Sequence, residues 1–278
     1  MAKKIVTLTT DFGLRDPYVA EMKAVILSIC PEVVIVDVSH EVAKFDVRMG
    51  AYILASAASY FSKGTIHVAV VDPGVGTARR GLIVQTNHGF LIGPDNGVLV
   101  LAAKKQGIIN VREIVNTKLM LPQVSSTFHG RDMFAPAAAH LAKGVLPADF
   151  GEKVRDMVKP DFTKVKSSKN QLTCEALHVD GFGNIVTNVS GEVFALFKGG
   201  ESVGVNINRR EVKVKFVKTY AEAQPKEALI LVGSQGFAEI AVNLGSAAEE
   251  LGAKPGNKLA LAFRNYRSLA EVVEQPGS

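Results

Sequence analysis

The stretch from Asp72 to Arg80, Asp-Pro-Gly-Val-Gly-Thr-Ala-Arg-Arg, gathers a carboxylate, a hydroxyl and two guanidinium groups in one short turn. It follows the apolar run Thr65 to Val71, which reads as a buried strand because it is short, β-branched and bounded by turn residues. A carboxylate where such a strand ends sits where open α/β sheets collect their ligands. Pro73, Gly74 and Gly76 favour a tight turn and let backbone approach a ligand closely. Thr77, Arg79 and Arg80 are then expected to offer donors to whatever Asp72 faces. Taken alone, the stretch would also suit a strand-end turn with a surface ion pair, worth little energetically.

Other polar clusters argue against that plainer reading: Asp11 to Asp16, Ser125 to Asp132, Asp180-Gly-Phe-Gly-Asn184, and Gly233-Ser-Gln-Gly236 after an apolar strand. His129 lies in a polar loop beside Gly130 and Arg131, where a titrating group is accessible. His67 and His178 fall inside strands and read as packed residues. Some tempting matches fail. Asp11-Phe12-Gly13 lacks the other kinase motifs. Gly74-Val75-Gly76 lacks the third glycine and the helix of a dinucleotide fingerprint. No histidine pairs at ligand spacing with a second histidine or carboxylate on one helix, so no metal site is expected.

The elements that must position these groups alternate. A strand from Lys4 to Thr10 ends at Asp11, and a helix from about Tyr18 to Ile29 follows, with Asp16 as its cap and Pro17 in its first turn. A strand over Glu32 to Val38, a helix from Phe45 to about Phe61 and the Thr65 to Val71 strand complete a strand-helix-strand-helix-strand order. That order is the signature of a parallel sheet with helices on its faces. A hairpin around Asn87-His88-Gly89, a helix from Val98 to about Lys105, a strand at Val111 to Ile114 and an Ala-rich helix from Met133 to Lys143 come next. If the strands are parallel, the first three polar clusters meet at one sheet edge.

From Gly144 to Asn170 the chain turns basic and proline-containing, which marks a boundary between an α/β domain, 1–165, and a β domain, 170–278. The second half holds short strand-like runs: Leu172 to Val179, Ile185 to Val189, Ser202 to Ile207, Glu211 to Val217, Ala228 to Val232, Ala238 to Val242 and Lys258 to Phe263. With no strong helix between them, a small antiparallel barrel or sandwich is expected. The tail after Tyr266 carries few packing signals.

Composition narrows the function classes. The chain has 278 residues, no tryptophan and a net charge of +5 with scattered basic residues. The densest basic group, Arg209 to Lys218, alternates with Val212, Val214 and Phe216. That suits a half-buried strand better than a nucleic-acid stripe. No apolar run is long enough to cross a bilayer. Cys30 and Cys174 stand alone in apolar segments, as buried thiols in a reducing compartment do. Met-Ala-Lys-Lys runs into a strand without the apolar core of a signal peptide, so a cytoplasmic protein is expected.

The strings TTDFG, VDPGVGT-x-RR, PDNG, SSTFHGRD, D-G-FGN and GS-x-G, in this order from Asp11 to about Ala248, closely resemble the S-adenosylmethionine (SAM) hydroxide adenosyltransferases. These are SAM hydrolases related to fluorinases and chlorinases. The resemblance implies hydrolysis of SAM to adenosine and L-methionine by attack of water or hydroxide on the ribose 5′ carbon, with no cofactor. The family's Asp-Arg-His set falls on Asp72, Arg79 and His129. By the same resemblance Asp11 holds the ribose hydroxyls, Asp16 meets the methionine ammonium, and Phe45 and Phe128 line the ribose and sulfonium region. Asp180 and Asn184 contact the methionine or adenine ends, Phe182 and Tyr220 offer stacking surfaces, and Ser234 binds the carboxylate. Gln235 departs from the arginine of some relatives.

The halogenases carry other residues at the Asp and His positions, and fluorinases carry an extra loop before the segment matching SSTFHGRD; this chain keeps the hydrolase pattern. A SAM-dependent halogenase and a non-catalytic SAM-binding protein are the alternatives. The family is a homotrimer with sites shared between subunits, and the resemblance implies neither nucleic-acid nor membrane partners.

Overall fold

The structure is a computed structural model describing residues 3–168 and 170–263. The tail after Tyr266 lies outside the described residues. The chain divides into two compact units, Met1–Pro160 and Asp161–Ser278.

The first unit is a six-stranded mixed sheet. Its strands are β1 (Ile5–Thr10), β2 (Val34–Ser39), β3 (Thr65–Val70), β4 (Gly81–Thr86), β5 (Gly89–Pro94) and β6 (Ile108–Glu113), in the order β2-β1-β3-β5-β4-β6. β2, β1, β3 and β5 run parallel, and β4 is antiparallel to both its neighbours. Alternation of side chains across the sheet feeds two cores. On one face Val6, Leu8, Ile66, Val68 and Ile92 meet Met22 and Ile26 of α1 (Tyr18–Ile29) and the alanines of α4 (Ala135–Ala142). On the other, Ala69, Leu82, Val84 and Leu91 meet Leu54 of α2 (Val47–Ala58) and Ala102 of α3 (Val100–Gln106). β3 is buried along its whole length, so each of its large apolar side chains contributes about 1.5–3 kcal/mol through burial. The sheet edge beyond β1 and β3 is thereby a rigid platform.

Three local expectations shift. Asp16 does not cap α1: Pro17 occupies the cap position with φ −74° and ψ −3°, which leaves Asp16 one residue too early and exposed. α2 starts at Val47 because Asp46 caps it, its carboxylate accepting from Met49 N at 3.0 Å, while Phe45 turns to φ 64°. The Ala-rich helix opens with a π-helical turn, Gly130–Phe134, before α4 proper, with Pro136 in the first turn of α4. Such widened turns recur at functional sites.

The second unit contains β7 (Lys166–Ser168), β8 (Gln171–Val179), β9 (Ile185–Ser190), β10 (Ser202–Ile207), β11 (Arg210–Phe216), β12 (Ala228–Val232), β13 (Phe237–Val242) and β14 (Lys258–Phe263). The order β14-β10-β11-β12-β13-β9-β8 closes on itself through β14–β8 pairing. The unit is therefore a seven-stranded barrel and not a sandwich, with β7 added outside β8. Pairing is antiparallel except between β11 and β12, which run parallel over a short register. On β11 the lysines Lys213 and Lys215 face out and Val214 and Phe216 face in, as the alternation requires. One short helix, α5 (Ala247–Leu251), is capped by Ser246.

Candidate active site

In the first unit the parallel pairing sets Thr10 opposite Val70, so Asp11 and Asp72 leave adjacent strands at the same sheet edge. Asp11 is buried, and its Oδ2 accepts from Phe45 N at 2.9 Å. Lys44 Nζ donates to the Asp11 carbonyl at 2.5 Å. Phe45 holds a left-handed backbone that costs a non-glycine residue energy; its N–H bond to Asp11 helps to hold it there, and the ring is left exposed.

Asp72 and Arg79 form the centre of this edge. Arg79 Nε donates to both carboxylate oxygens at 3.0 and 2.9 Å, and Nη2 donates to Oδ2 at 2.5 Å. The same Nη2 lies 2.7 Å from His129 Nδ1. Arg79's guanidinium sits 5.3 Å from the Phe134 ring, and both members of the ion pair are almost wholly buried. Arg79 Nη1 is buried without a hydrogen-bond partner among the described residues. Since Arg79 can only donate, His129 Nδ1 accepts and the imidazole proton resides on Nε2. Burial, then the positive charge of Arg79, lowers the His129 pKa; Asp72 and Asp132 oppose the shift. His129 is thus a neutral donor at neutral pH.

Two turns must meet to build this contact. Gly76, at φ 77°, lies so close to the 125–132 loop that a Cβ there would stand 2.2 Å from the Ser126 carbonyl oxygen. No other residue type fits that approach. Phe128 packs edge-on with Phe12 and Tyr18 at 5.6 and 5.3 Å, and Arg131 lies over its ring. Arg80, expected to offer donors to whatever Asp72 faces, grips Asp95 at 2.5 Å and reaches Asp156. Thr77 Oγ1 donates to Gly74 O at 2.7 Å and so closes its own turn.

In the second unit Asp180 closes the loop between β8 and β9. Its Oδ1 accepts from the backbone of Phe182 and Asn184 at 2.9 Å each, and its Oδ2 from Asn184 Nδ2 at 2.9 Å. Gly183, at φ 83°, presses on Ser246. Phe182 is 82% exposed, while Asn184 is buried. Tyr220 donates its hydroxyl to Glu239. Burial first, then the bond to Glu239, raises the phenol's pKa, and burial raises that of Glu239 too. Ser234 is exposed in the turn between β12 and β13, with Gln235 Nε2 3.4 Å from its hydroxyl.

Within the first unit the structure thus brings Asp72, Arg79 and His129 into contact and sets Asp11 and Phe45 against each other, with Asp16 in the exposed loop before α1. Sequence reasoning missed Phe134 under Arg79, Asp132 behind His129, and Glu239. Glu239 carried a signal: a carboxylate inside the otherwise apolar run Phe237 to Val242. No group of three His, Cys, Asp or Glu side chains among the described residues is placed to hold a metal ion.

Comparison with known proteins gives matches to two family models, the SAM hydroxide adenosyltransferase N-terminal domain over residues 6–151 and its C-terminal domain over residues 174–260. The chain is 40% identical to an (R)-S-adenosyl-L-methionine hydrolase of Salinispora tropica, covering 91% of this chain and 96% of that one. It is 37% identical to another of that name from Methanocaldococcus jannaschii, covering 89% and 91%. A fluorinase of Actinoplanes sp. is 29% identical over 91% and 95%. Among solved structures, an uncharacterized conserved protein from Thermotoga maritima superposes with a TM-score of 0.83 at 37% identity, covering 93% of this chain and 99% of that one.

Proposed function

The chain belongs to the SAM hydroxide adenosyltransferase family, and from that premise we propose that it hydrolyses S-adenosyl-L-methionine to adenosine and L-methionine. The observation that carries the reading is the hydrogen-bonded Asp72–Arg79–His129 set, its ion pair almost wholly buried, at the carboxyl edge of the parallel strands. In the reaction a bond forms between a water or hydroxide oxygen and the ribose 5′ carbon. The 5′ carbon–sulfur bond breaks and its electron pair returns to the sulfonium sulfur; when water is the nucleophile one proton passes to solvent, and when hydroxide attacks none is released.

In-line geometry alone can remove on the order of 7–11 kcal/mol from such a barrier at best. Asp72 accepts a hydrogen bond from the oxygen nucleophile and aims its lone pair. Arg79 fixes both Asp72 oxygens, and its hydrogen bond to His129 Nδ1 leaves Nε2–H as a donor. Phe134, packed beneath the Arg79 guanidinium, keeps water from the back of the ion pair, and a dry site favours a reaction that consumes charge when hydroxide attacks. Asp11 takes the ribose hydroxyls, with Phe45 and Phe128 beside the ribose and sulfonium. Asp16 meets the ammonium group. Asp180 and Asn184 take the methionine or adenine ends, Phe182 and Tyr220 stack, and Ser234 binds the carboxylate. No cofactor takes part.

The assembly is a cytoplasmic homotrimer in which one subunit's first domain and its neighbour's second domain share each substrate. Exposed Leu14, Tyr18 and Phe45 on the first unit and Phe182 and Leu244 on the second support subunit contacts, and two free buried thiols suit a reducing compartment. No helix among the described residues is long and apolar enough to cross a membrane.

The test is incubation with SAM, with and without chloride or fluoride, and chromatography of the nucleoside product. Adenosine in every arm supports hydrolysis. A 5′-halo-5′-deoxyadenosine would make the enzyme a halogenase, and binding without turnover would make it a SAM-binding protein.

A further inference from the structure

His129 can meet Arg79 only if the loop before it is held still, and the hydrogen bonds that hold it converge on one side chain. Asp132 is fully buried. Its Oδ2 accepts from Ser125 N at 2.8 Å, which closes the loop around Phe128 and His129. Its Oδ1 accepts from Arg131 Nε at 2.6 Å, and Arg131 Nη1 reaches Glu21 of α1 at 2.8 Å. The Asp132 backbone N–H donates to Phe128 O at 3.1 Å, and its carbonyl accepts from Leu121 N at 2.9 Å. One residue therefore ties both ends of the loop, the π-helical turn and, through Arg131, the first helix.

We propose that Asp132 is a positioning residue for the hydrolysis: by anchoring the 125–132 loop it holds His129 Nδ1 against Arg79. The inference rests on the hydrolase reading. The charged groups that act on His129 are Arg79, Asp72 and Asp132; Arg79 opposes protonation of the ring and the two carboxylates favour it. A His129 ring released from Arg79 therefore protonates more easily, a change that a loss of packing away from the site does not make.

The test is Asp132→Asn in the full-length protein, read by steady-state kinetics across pH and by histidine ¹⁵N titration without substrate. The expected result is kcat down about tenfold or more with KM nearly unchanged, as small misplacements of catalytic groups give. The acid limb of kcat and the His129 titration both move to higher pH, because the released ring loses the burial and the Arg79 charge that oppose its protonation. A folded variant whose kcat, acid limb and His129 titration all match wild type overturns the proposal. If Asp132→Asn does not fold, Arg131→Gln is read the same way: it cuts the half-exposed arm of the anchor. A smaller loss of kcat is expected from it, and wild-type kcat in that variant overturns the proposal. Wild-type protein that does not hydrolyse SAM would refute the functional reading instead, and the substrate-free titration would still decide the role of Asp132.

Discussion

Replacing Arg79 by lysine keeps a positive charge beside Asp72 and removes the fork. Arg79 makes four hydrogen-bond contacts, three to Asp72 and one to His129 Nδ1. A single ammonium cannot reach both carboxylate oxygens and the imidazole with a planar grip. Each charge-assisted bond contributes about 1.5–3 kcal/mol net to whatever state makes it. Only the part that holds Asp72 and His129 in their reacting geometry acts on the barrier, and misplacement of that kind costs about a hundredfold. Adding the lost His129 contact gives an expected fall in kcat of about 10²–10³, or roughly 2.7–4 kcal/mol. KM should move by no more than about threefold, because the retained charge leaves the buried Asp72 compensated and the fold intact. Chromatographic measurement of adenosine release, paired with thermal melting, reads all of these. Arg79→Gln adds a sign: without that positive charge His129 protonates more easily, so the acid limb of kcat moves to higher pH, in the same direction as Asp132→Asn. A folded Arg79→Lys enzyme with near-wild-type kcat would refute the claim that the fork organises the site.

Other consequences follow from single side chains. His67 is buried on β3, its Nδ1 2.8 Å from Thr7 Oγ1, and burial holds its pKa down to about 4. Because the unfolded value is about 6.5, the stability this neutral ring contributes is full above pH 6.5 and lost as pH falls toward 4. The total is about 3 kcal/mol. Denaturant melts at both pH values should show that loss, and a His67→Gln variant should flatten it; an equal slope in the variant contradicts the assignment. Tyr220→Phe leaves the buried Glu239 carboxylate without its hydroxyl donor and should cost about 1–3 kcal/mol in chemical denaturation. Phe45→Gly should relieve the left-handed backbone, keeping or raising the melting temperature, while KM for SAM rises. Light scattering on the full-length chain should give three times the subunit mass; a monomer would remove the shared-site part of the proposal.

Much of this architecture is legible in the sequence, for physical reasons. β3 announced itself because a strand buried on both faces reads as a nearly continuous apolar run, and the turn after it had to hold the carboxylate of Asp72. The barrel strands were visible through alternation, as in Arg210–Phe216, where lysines and apolar residues take opposite faces. Whether they formed a barrel or a sandwich was not, because closure depends on β14 finding β8, a pairing far apart in sequence. The joint placement of Arg79 and His129, and the choice of Arg79 over Arg80, came from motif resemblance, yet the partner that Arg80 takes instead did not. Adjacent arginines look alike in sequence, and only the backbone turn sends one to Asp72 and the other to Asp95. Asp132 was hidden for a similar reason: its importance lies in which amide its carboxylate reaches.

The most direct measurement is hydrolysis of SAM in ¹⁸O-enriched water, followed by mass analysis of the adenosine. Attack on the ribose 5′ carbon requires one heavy oxygen per turnover in the 5′ hydroxyl and none in the methionine. Adenosine formed without that label, or label found in the methionine fragment, would contradict the account.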